Sequence, residues 1–390
     1  MSPLHDVSHL LSGAPRQVDI RAIEQELASF WEAAGVPGDG HGPVTTARVL
    51  NLIAVATSAA DAALVQQTLS GLIYRYPCRA IVVIAEPEAP ASGLEAWIQA
   101  HCQPPDPSGV QVCCEQISLL AKGAALQEAW GVVLPLLMPD LPVSLWWLGE
   151  PPQSTPRERQ GTPVRPGESL LAELLERLLR VSDQLIVDCA AFARPEDGLS
   201  WLAARCDQAA GRYHVADLAW ARLAPWRTLL AQCFDPPDTR TYLEQIERVE
   251  LEHALGGETE AMLLVAWLAS RLGWEPALPA QRHAGLVLQA GGRLIEVERR
   301  ARGQANSTAG AVQLVALHAR EARFIVRLTE PSCAAVQAVL TQRSHPARVL
   351  RLPPVDESEL LARVLDTLGG DPVYEAALVL AMRLIKPAGG

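Results

Sequence analysis

Between positions 47 and 190 the chain alternates unbroken apolar runs with stretches of helical spacing. "ARVLNLIAVAT" is continuously apolar and reads as a buried strand, "AADAALVQQTLSGLIYRY" repeats its apolar residues with a helical period, and "CRAIVVIA" is strand-like again. "VQVCCEQISL" continues as a strand, residues 123 to 138 form a helix that stops near Pro139, and "PVSLWW" is the next strand, with Pro142 suited to a strand's first position. A leucine-rich helix over residues 169 to 180 then leads into the strand "QLIVDCA". Strands alternating with helices predict a mostly parallel sheet covered on both faces. Within "VSLWW", the two-residue period puts Val143, Leu145 and Trp147 on one face and Ser144, Trp146 and Leu148 on the other. Bulk on both faces fits a strand covered on each side by helices, or by helices on one side and a partner protein on the other.

Ahead of this pattern, residues 1 to 18 read as a loose arm. Asp19 offers an N-cap for a helix through "IRAIEQELASFWEAAG", whose apolar stripe is Ile20, Ile23, Leu27, Phe30 and Trp31. The connector "GVPGDGHGP" follows, and a second polar, proline-rich loop, "GEPPQSTPRERQGTPVRPGES", interrupts the α/β pattern. The second half differs. Pro225 is placed to open a helix through "WRTLLAQCF", and Glu258 to Leu272 is apolar nearly all round, hence a buried helix, ending at Gly273. "HAGLVLQA", "GRLIEVERRA", "AVQLVALHA" and "RFIVRLTE" are short strands separated by turn residues, which predict an antiparallel meander, and two helices near residues 356 to 368 and 372 to 386 close the chain. The predicted fold is an α/β domain with a mostly parallel sheet followed by an α+β domain with an antiparallel meander. The boundaries are an arm and helix over 1–46, the α/β domain over 47–240 and the α+β domain over 241–390.

A chain of 390 residues is long enough for two cores, and 49% hydrophobic with 20% charged residues is ordinary globular composition. The net charge of −11, with no dense Lys/Arg run, leaves no electrostatic route to a phosphate backbone, so nucleic acid is not an expected partner. The N-terminus lacks the basic cap and apolar run of a secretory signal, and the most apolar windows fall short of the roughly 20 residues that cross a bilayer. A cytoplasmic protein without a membrane span is expected. The eight cysteines then read as reduced thiols rather than a disulfide framework.

Candidate chemistry is sparse. A nucleotide site of the usual kind needs glycine between the first strand and its helix, and here that turn is "ATSAADAAL", which contains none. No P-loop pattern occurs, and "AGGR" at 290–293 suits a hairpin turn. His5 and His9 have helical spacing but no third ligand nearby, and no CxxC pair is present, so neither metal nor cofactor is expected. Cys113 and Cys114 are adjacent on a strand and point to opposite faces, and Cys102 can meet one of them across the loop "QPPDPSGVQV". These three are small buried hydrophobes or a thiol switch. Ten tryptophans against four phenylalanines is an inverted ratio. Trp267 is expected to be structural, whereas Trp146, Trp147, Trp220 and Trp226 lie near loops and element ends, where interface and core both remain open.

Taken together, "RVLNLIAV", "YRYPCRAIVV", "MPDLPVSLWW", "DLAWARLAPWRTLLAQ", "VAWLASRLG" and "DPVYEAAL" resemble the OpcA family, the glucose-6-phosphate dehydrogenase assembly proteins. The matches run in the family's order from about Arg48 to Ala377. One departure is the stretch Tyr76, Pro77, Cys78 and Arg79, where the family often has His-Pro-Ser-Arg. The resemblance implies a non-catalytic protein that promotes assembly of glucose-6-phosphate dehydrogenase into its active oligomer and activates it, supplying NADPH in the oxidative pentose phosphate pathway. In cyanobacterial members it also implies thioredoxin-linked redox control. Arg75, Arg79 and Arg227 are then candidates for forked contacts to partner carboxylates, beside the four tryptophans, with pairing inside the chain as the alternative. Two rival readings are a sensor or enzyme that binds a sugar phosphate or nucleotide on the α/β sheet, and a redox-responsive scaffold for other partners.

Overall fold

The computed structural model describes residues 14–34, 44–73, 75–102, 111–152, 166–209, 211–277, 286–302, 312–330, 333–340, 343–344, 347–352, 356–367 and 369–385. His5, His9, most of both connectors and the loop between Cys102 and Gln111 lie outside the described residues. The chain divides into two compact units, and each is discontinuous in sequence.

The first unit opens with β1 (Arg16–Val18), a 3-10 turn capped by Asp19, and α1 (Ile23–Ala34). Ile23, Leu27 and Phe30 of the expected stripe are buried. Then come β2 (Val44–Thr46), β3 (Leu50–Ala56), α2 (Ala59–Leu72), β4 (Cys78–Glu86), β5 (Gly93–Cys102), β6 (Gln111–Lys122), α3 (Leu126–Leu136), β7 (Val143–Trp147), α4 (Pro166–Leu179) and β8 (Gln184–Val187). The sheet order is β1-β5-β6-β4-β3-β7-β8, continued by β9 (His214–Asp217), with β2 also beside β6. β3 is parallel to β4 and β7, β4 to β6, and β7 to β8, so the expected mostly parallel core is present. The apolar pattern missed β5. It is antiparallel to β6 and β1, and its polar positions are satisfied across the ladder: Gln99 donates to Gln116, whose oxygen also lies 2.8 Å from His101 Nε2.

All five residues of β7 are buried, as are all seven of β3. Small Ala54 lies in register with Trp146, which makes room for an indole inside a closely packed sheet. The turn before β7 is fixed by Asn51, fully buried in β3, whose amide donates to the carbonyls of Met138 and Leu141 and accepts from the Met138 N–H.

The second unit contains α5 (Pro195–Ala209), α6 (Ala224–Gln232), β10 (Ile246–His253), α7 (Glu258–Leu272), β11 (Glu275–Pro276), β12 (Leu286–Ala290), β13 (Arg293–Ala301), β14 (Val312–Ala319), β15 (Ala322–Glu330), β16 (Cys333–Leu340), β17 (Arg343–Ser344) and β18 (Arg348–Arg351). The chain then makes α8 (Glu357–Leu365), which belongs to the first unit and packs on α2, before α9 (Pro372–Ile385) completes the second. Gly273 caps α7 at φ 66°, and Gly291 and Gly292 turn the β12–β13 hairpin at φ 54° and 81°, a region glycine enters without a Cβ clash. The expected meander is present but the sheet is mixed. β10, which the apolar pattern did not signal, runs parallel to β13 and antiparallel to β14 in the order β11-β12-β13-β10-β14-β15-β16-β17, with β18 also on β16.

Burial alternates along this strand. Val249 and Leu251 face the core, while Arg248, Glu250 and Glu252 face outward and pair with Glu298, Arg323 and Arg302 on neighbouring segments. On the core side, Phe324 stacks 4.4 Å from Phe234, ring centroid to centroid. Among the described residues no helix is long and apolar enough to cross a membrane.

Candidate functional site

In a doubly wound sheet the crevice for ligands lies where strand order reverses, here beyond the ends of β3 and β7. The backbone and hydroxyl groups there are bonded by the chain's own side chains. Ser58 caps α2 by accepting from the Asp61 N–H, and the Asp61 carboxylate accepts from the Thr57 N–H, the Thr57 hydroxyl and, at 2.8 Å, the Ser58 hydroxyl. Opposite them, a Cβ at Gly149 would stand 3.1 Å from Thr57 Oγ1. Asp61 thus puts a negative charge in the first turn of α2, where a phosphate would otherwise gain from the helix dipole. Among the described residues no group of three His, Cys, Asp or Glu could hold a metal ion.

Two of the sequence motifs come together in the second unit. Asp217, at the start of "DLAWARLAPWR", is buried; its carboxylate accepts from the Cys189 and Ala219 N–H groups and from the Tyr374 hydroxyl. Trp220 donates its indole N–H to Asp371 at 2.7 Å and lies 5.4 Å from the Tyr374 ring, so "DLAWAR" and "DPVYEAAL" form one network. Arg222 bridges Asp188 and Glu260 at 2.7 and 3.1 Å. Arg227 donates to the Trp220 carbonyl, and its guanidinium sits 3.5 Å from that ring's centroid, where burial lowers its pKa to about 10. Trp226 is buried beside them.

Burial, then the charge of Asp188, raises the Asp217 pKa to about 6 against the hydrogen bonds that favour its ionised form. A carboxyl raised above its unfolded value stabilises the fold most when protonated. Its contribution is complete below the unfolded value of 3.8 and is lost as pH rises through about 6. Asp217→Asn is expected to remove about 3 kcal/mol of pH-dependent stability change across that window, read from urea midpoints between pH 4 and 7. An unchanged slope would reject this titration.

In the first unit, Glu115 on β6 is fully buried and accepts a forked pair from Arg48 at 2.8 and 2.7 Å, the Trp31 indole N–H at 2.8 Å and the Arg79 Nε. Arg79 also donates to Glu24 at 2.6 Å and to the Leu136 carbonyl. Arg75 is half-exposed and pairs with Asp366 beyond α8 at 2.5 Å, where Tyr76 also donates its hydroxyl. All three nominated arginines therefore have partners within their own unit.

All four nominated tryptophans are buried as well: Trp146 is 1% exposed, Trp147 0%, Trp220 5% and Trp226 4%. The half-exposed tryptophans are Trp31, Trp97, Trp130 and Trp267, the last on the one side of α7 that is not buried. Trp130 and Arg177 stack 4.9 Å apart, centroid to guanidinium. No sequence signal distinguished these rings, because strand or helix position alone does not say which face is covered.

Cys102 and Cys113 are directly opposite on the β5–β6 ladder and form a disulfide that closes the hairpin. Cys114 points to the other face and pairs with Cys78, a thiol not nominated from the sequence; the hydrogen bond from Cys78 lowers the Cys114 pKa and raises that of Cys78. The remaining six cysteines are free thiols, so the expectation of reduced cysteines is corrected at one pair. That pair bonds because a non-neighbouring ladder partner brings two Cβ atoms face to face.

Comparison with known proteins finds two matching domain models. Residues 72–159 match the model of a glucose-6-phosphate dehydrogenase subunit N-terminal domain, and residues 213–378 that of the subunit's C-terminal domain, together more than half of the chain. Two cyanobacterial relatives are named "Putative OxPP cycle protein OpcA". The one from Synechocystis sp. is 28% identical over 80% of this chain and 65% of its own, and that from Nostoc punctiforme is 34% identical over 52% and 39%. The chain spans about two fifths to two thirds of the length of the curated relatives it matches. Among solved structures, the transcriptional regulator Gal80p of Kluyveromyces lactis is 9% identical with a TM-score of 0.45, covering 87% of this chain and 91% of its own.

Proposed function

Since this chain belongs to the OpcA family of glucose-6-phosphate dehydrogenase subunits, we propose that it is a non-catalytic assembly factor and activator of that dehydrogenase. In this reading it binds the competent oligomer more tightly than the free subunits and shifts the population toward it, raising NADPH production in the oxidative pentose phosphate pathway. The observation that carries the reading is that both domain models of one such subunit fall on this chain in order. The first turn of α2 supports it, since Asp61 puts a negative charge there that would disfavour a nucleotide phosphate.

The finer part of the proposal is redox control. Cys102 and Cys113 close the β5–β6 hairpin, and a dithiol reductant of the thioredoxin class would open it, returning two thiols and a disulfide on the reductant. The two cysteines bracket a short loop, so reduction is expected to lower stability by about 2–3 kcal/mol.

The test mixes the chain with its cognate dehydrogenase and measures complex mass and turnover, with the helper oxidised, reduced, or carrying Cys102→Ser. Activation by the oxidised form with a severalfold change on reduction is expected. Equal activation by all three forms rejects the redox part alone; no complex and no activation rejects the whole. A thermal shift with glucose 6-phosphate or NADP in the absence of the enzyme would favour a sensor instead.

A further inference from the structure

β18 ends the ladder of the second unit's sheet. It pairs with β16 on one side, from Cys333 opposite Arg351 to Val336 opposite Arg348, and no described strand pairs with its other side. All four of its residues are exposed, including two large apolar side chains, Val349 at 65% and Leu350 at 37%. An open strand edge offers unpaired backbone donors and acceptors to any extended chain, and proteins usually blunt such an edge with charge. Here the charges flank the apolar pair without replacing it. Arg348 and Arg351 make no ion pair with a described residue, and their ladder partners Val336 and Cys333 carry no acid.

The charge pattern decides who can pair. A second copy meeting this edge antiparallel, with Val349 against Leu350, would set Arg348 directly opposite Arg351 twice over. Like charges placed directly across a ladder are destabilising. A strand with carboxylates at those two positions and apolar residues between them turns both contacts into arginine–carboxylate forks. We propose that the free edge of β18 docks an extended acidic segment of another protein, of the pattern acidic–apolar–apolar–acidic, as an added strand. Backbone hydrogen bonds supply affinity and the two arginines supply the choice of partner. This goes beyond the assembly reading and does not depend on which protein carries the segment.

The test uses the full chain and two blocked hexapeptides, Thr-Glu-Val-Val-Glu-Thr and Thr-Lys-Val-Val-Lys-Thr, with binding followed by titration and amide hydrogen exchange. The glutamate peptide is expected to bind at least tenfold tighter at low salt and to protect the amides of residues 348–351. The double variant Arg348→Glu/Arg351→Glu, both at exposed positions, is expected to invert the preference toward the lysine peptide while its circular dichroism stays unchanged. A variant that unfolds leaves the decision to the wild-type preference between the peptides. Equal or absent binding of the two peptides, protection elsewhere, or concentration-dependent self-association that protects 348–351 each overturns the proposal.

Discussion

Replacing Glu115 by alanine is expected to destabilise the first unit by about 3–5 kcal/mol, because it leaves a buried cation without its counter-charge. Arg79 is only 4% exposed, and of its carboxylate partners only Glu115 is buried, since the Glu24 side chain is 53% exposed. Trp31 and Arg48 lose their acceptor at the same time, so α1 and the entry to β3 loosen together. The pH dependence gives a second, independent reading. Burial alone would raise the Glu115 pKa, but the hydrogen bond from Arg48 and the charges of Arg79 and Arg48 outweigh it and hold the carboxyl below its ordinary value. A depressed carboxyl contributes stability that is present above the unfolded pKa and lost as pH falls through the folded one. Glu115→Gln should therefore flatten the acid limb of a urea-midpoint profile below about pH 5. Asp217 contributes with the opposite sign in the other unit, so separate probes on the two units should show slopes that diverge. A Glu115→Ala protein as stable as the wild type would show that the network is neutral.

Trp147→Ala is expected to cost a similar amount, about 3–5 kcal/mol, as the loss of a large side chain from a closely packed strand. The ring is 0% exposed, yet its indole N–H has no acceptor among the described residues. Trp147→Phe removes that unsatisfied donor along with part of the volume, so it should cost under about 1.5 kcal/mol. Urea denaturation of the pair checks both values. Loss of dehydrogenase activation at full stability in the alanine variant would instead make Trp147 a contact residue, against its burial.

What could be read from the sequence was whatever is decided locally. The continuous run of β3 is buried on both faces, and Gly291 and Gly292 can only turn a hairpin. Glu258 to Leu272 has a cap at Gly273 and almost no polar face, so its helix and its burial were both visible. β5 was not, because its glutamines and histidine are satisfied by Gln116 on the adjacent strand, a partner that only register supplies. Asp217, Trp220, Asp371 and Tyr374 could each be seen in a motif, but their meeting depends on segments about 150 residues apart coming together. The four nominated tryptophans illustrate the same limit: enrichment of a residue type says that rings matter, while the elements packed over them decide which rings meet water.

The return of α8 to the first unit bears on the order in which the protein can be made. Gln184 in β8 donates its amide to the carbonyl of Val364, and Arg75 waits for Asp366. While the chain is still emerging from the ribosome, an early-translated sheet therefore presents side chains whose partners lie 180 and 291 residues further along. A nascent chain stalled before position 357 would hold a first unit with one helix missing, and α2 without the helix that packs on it.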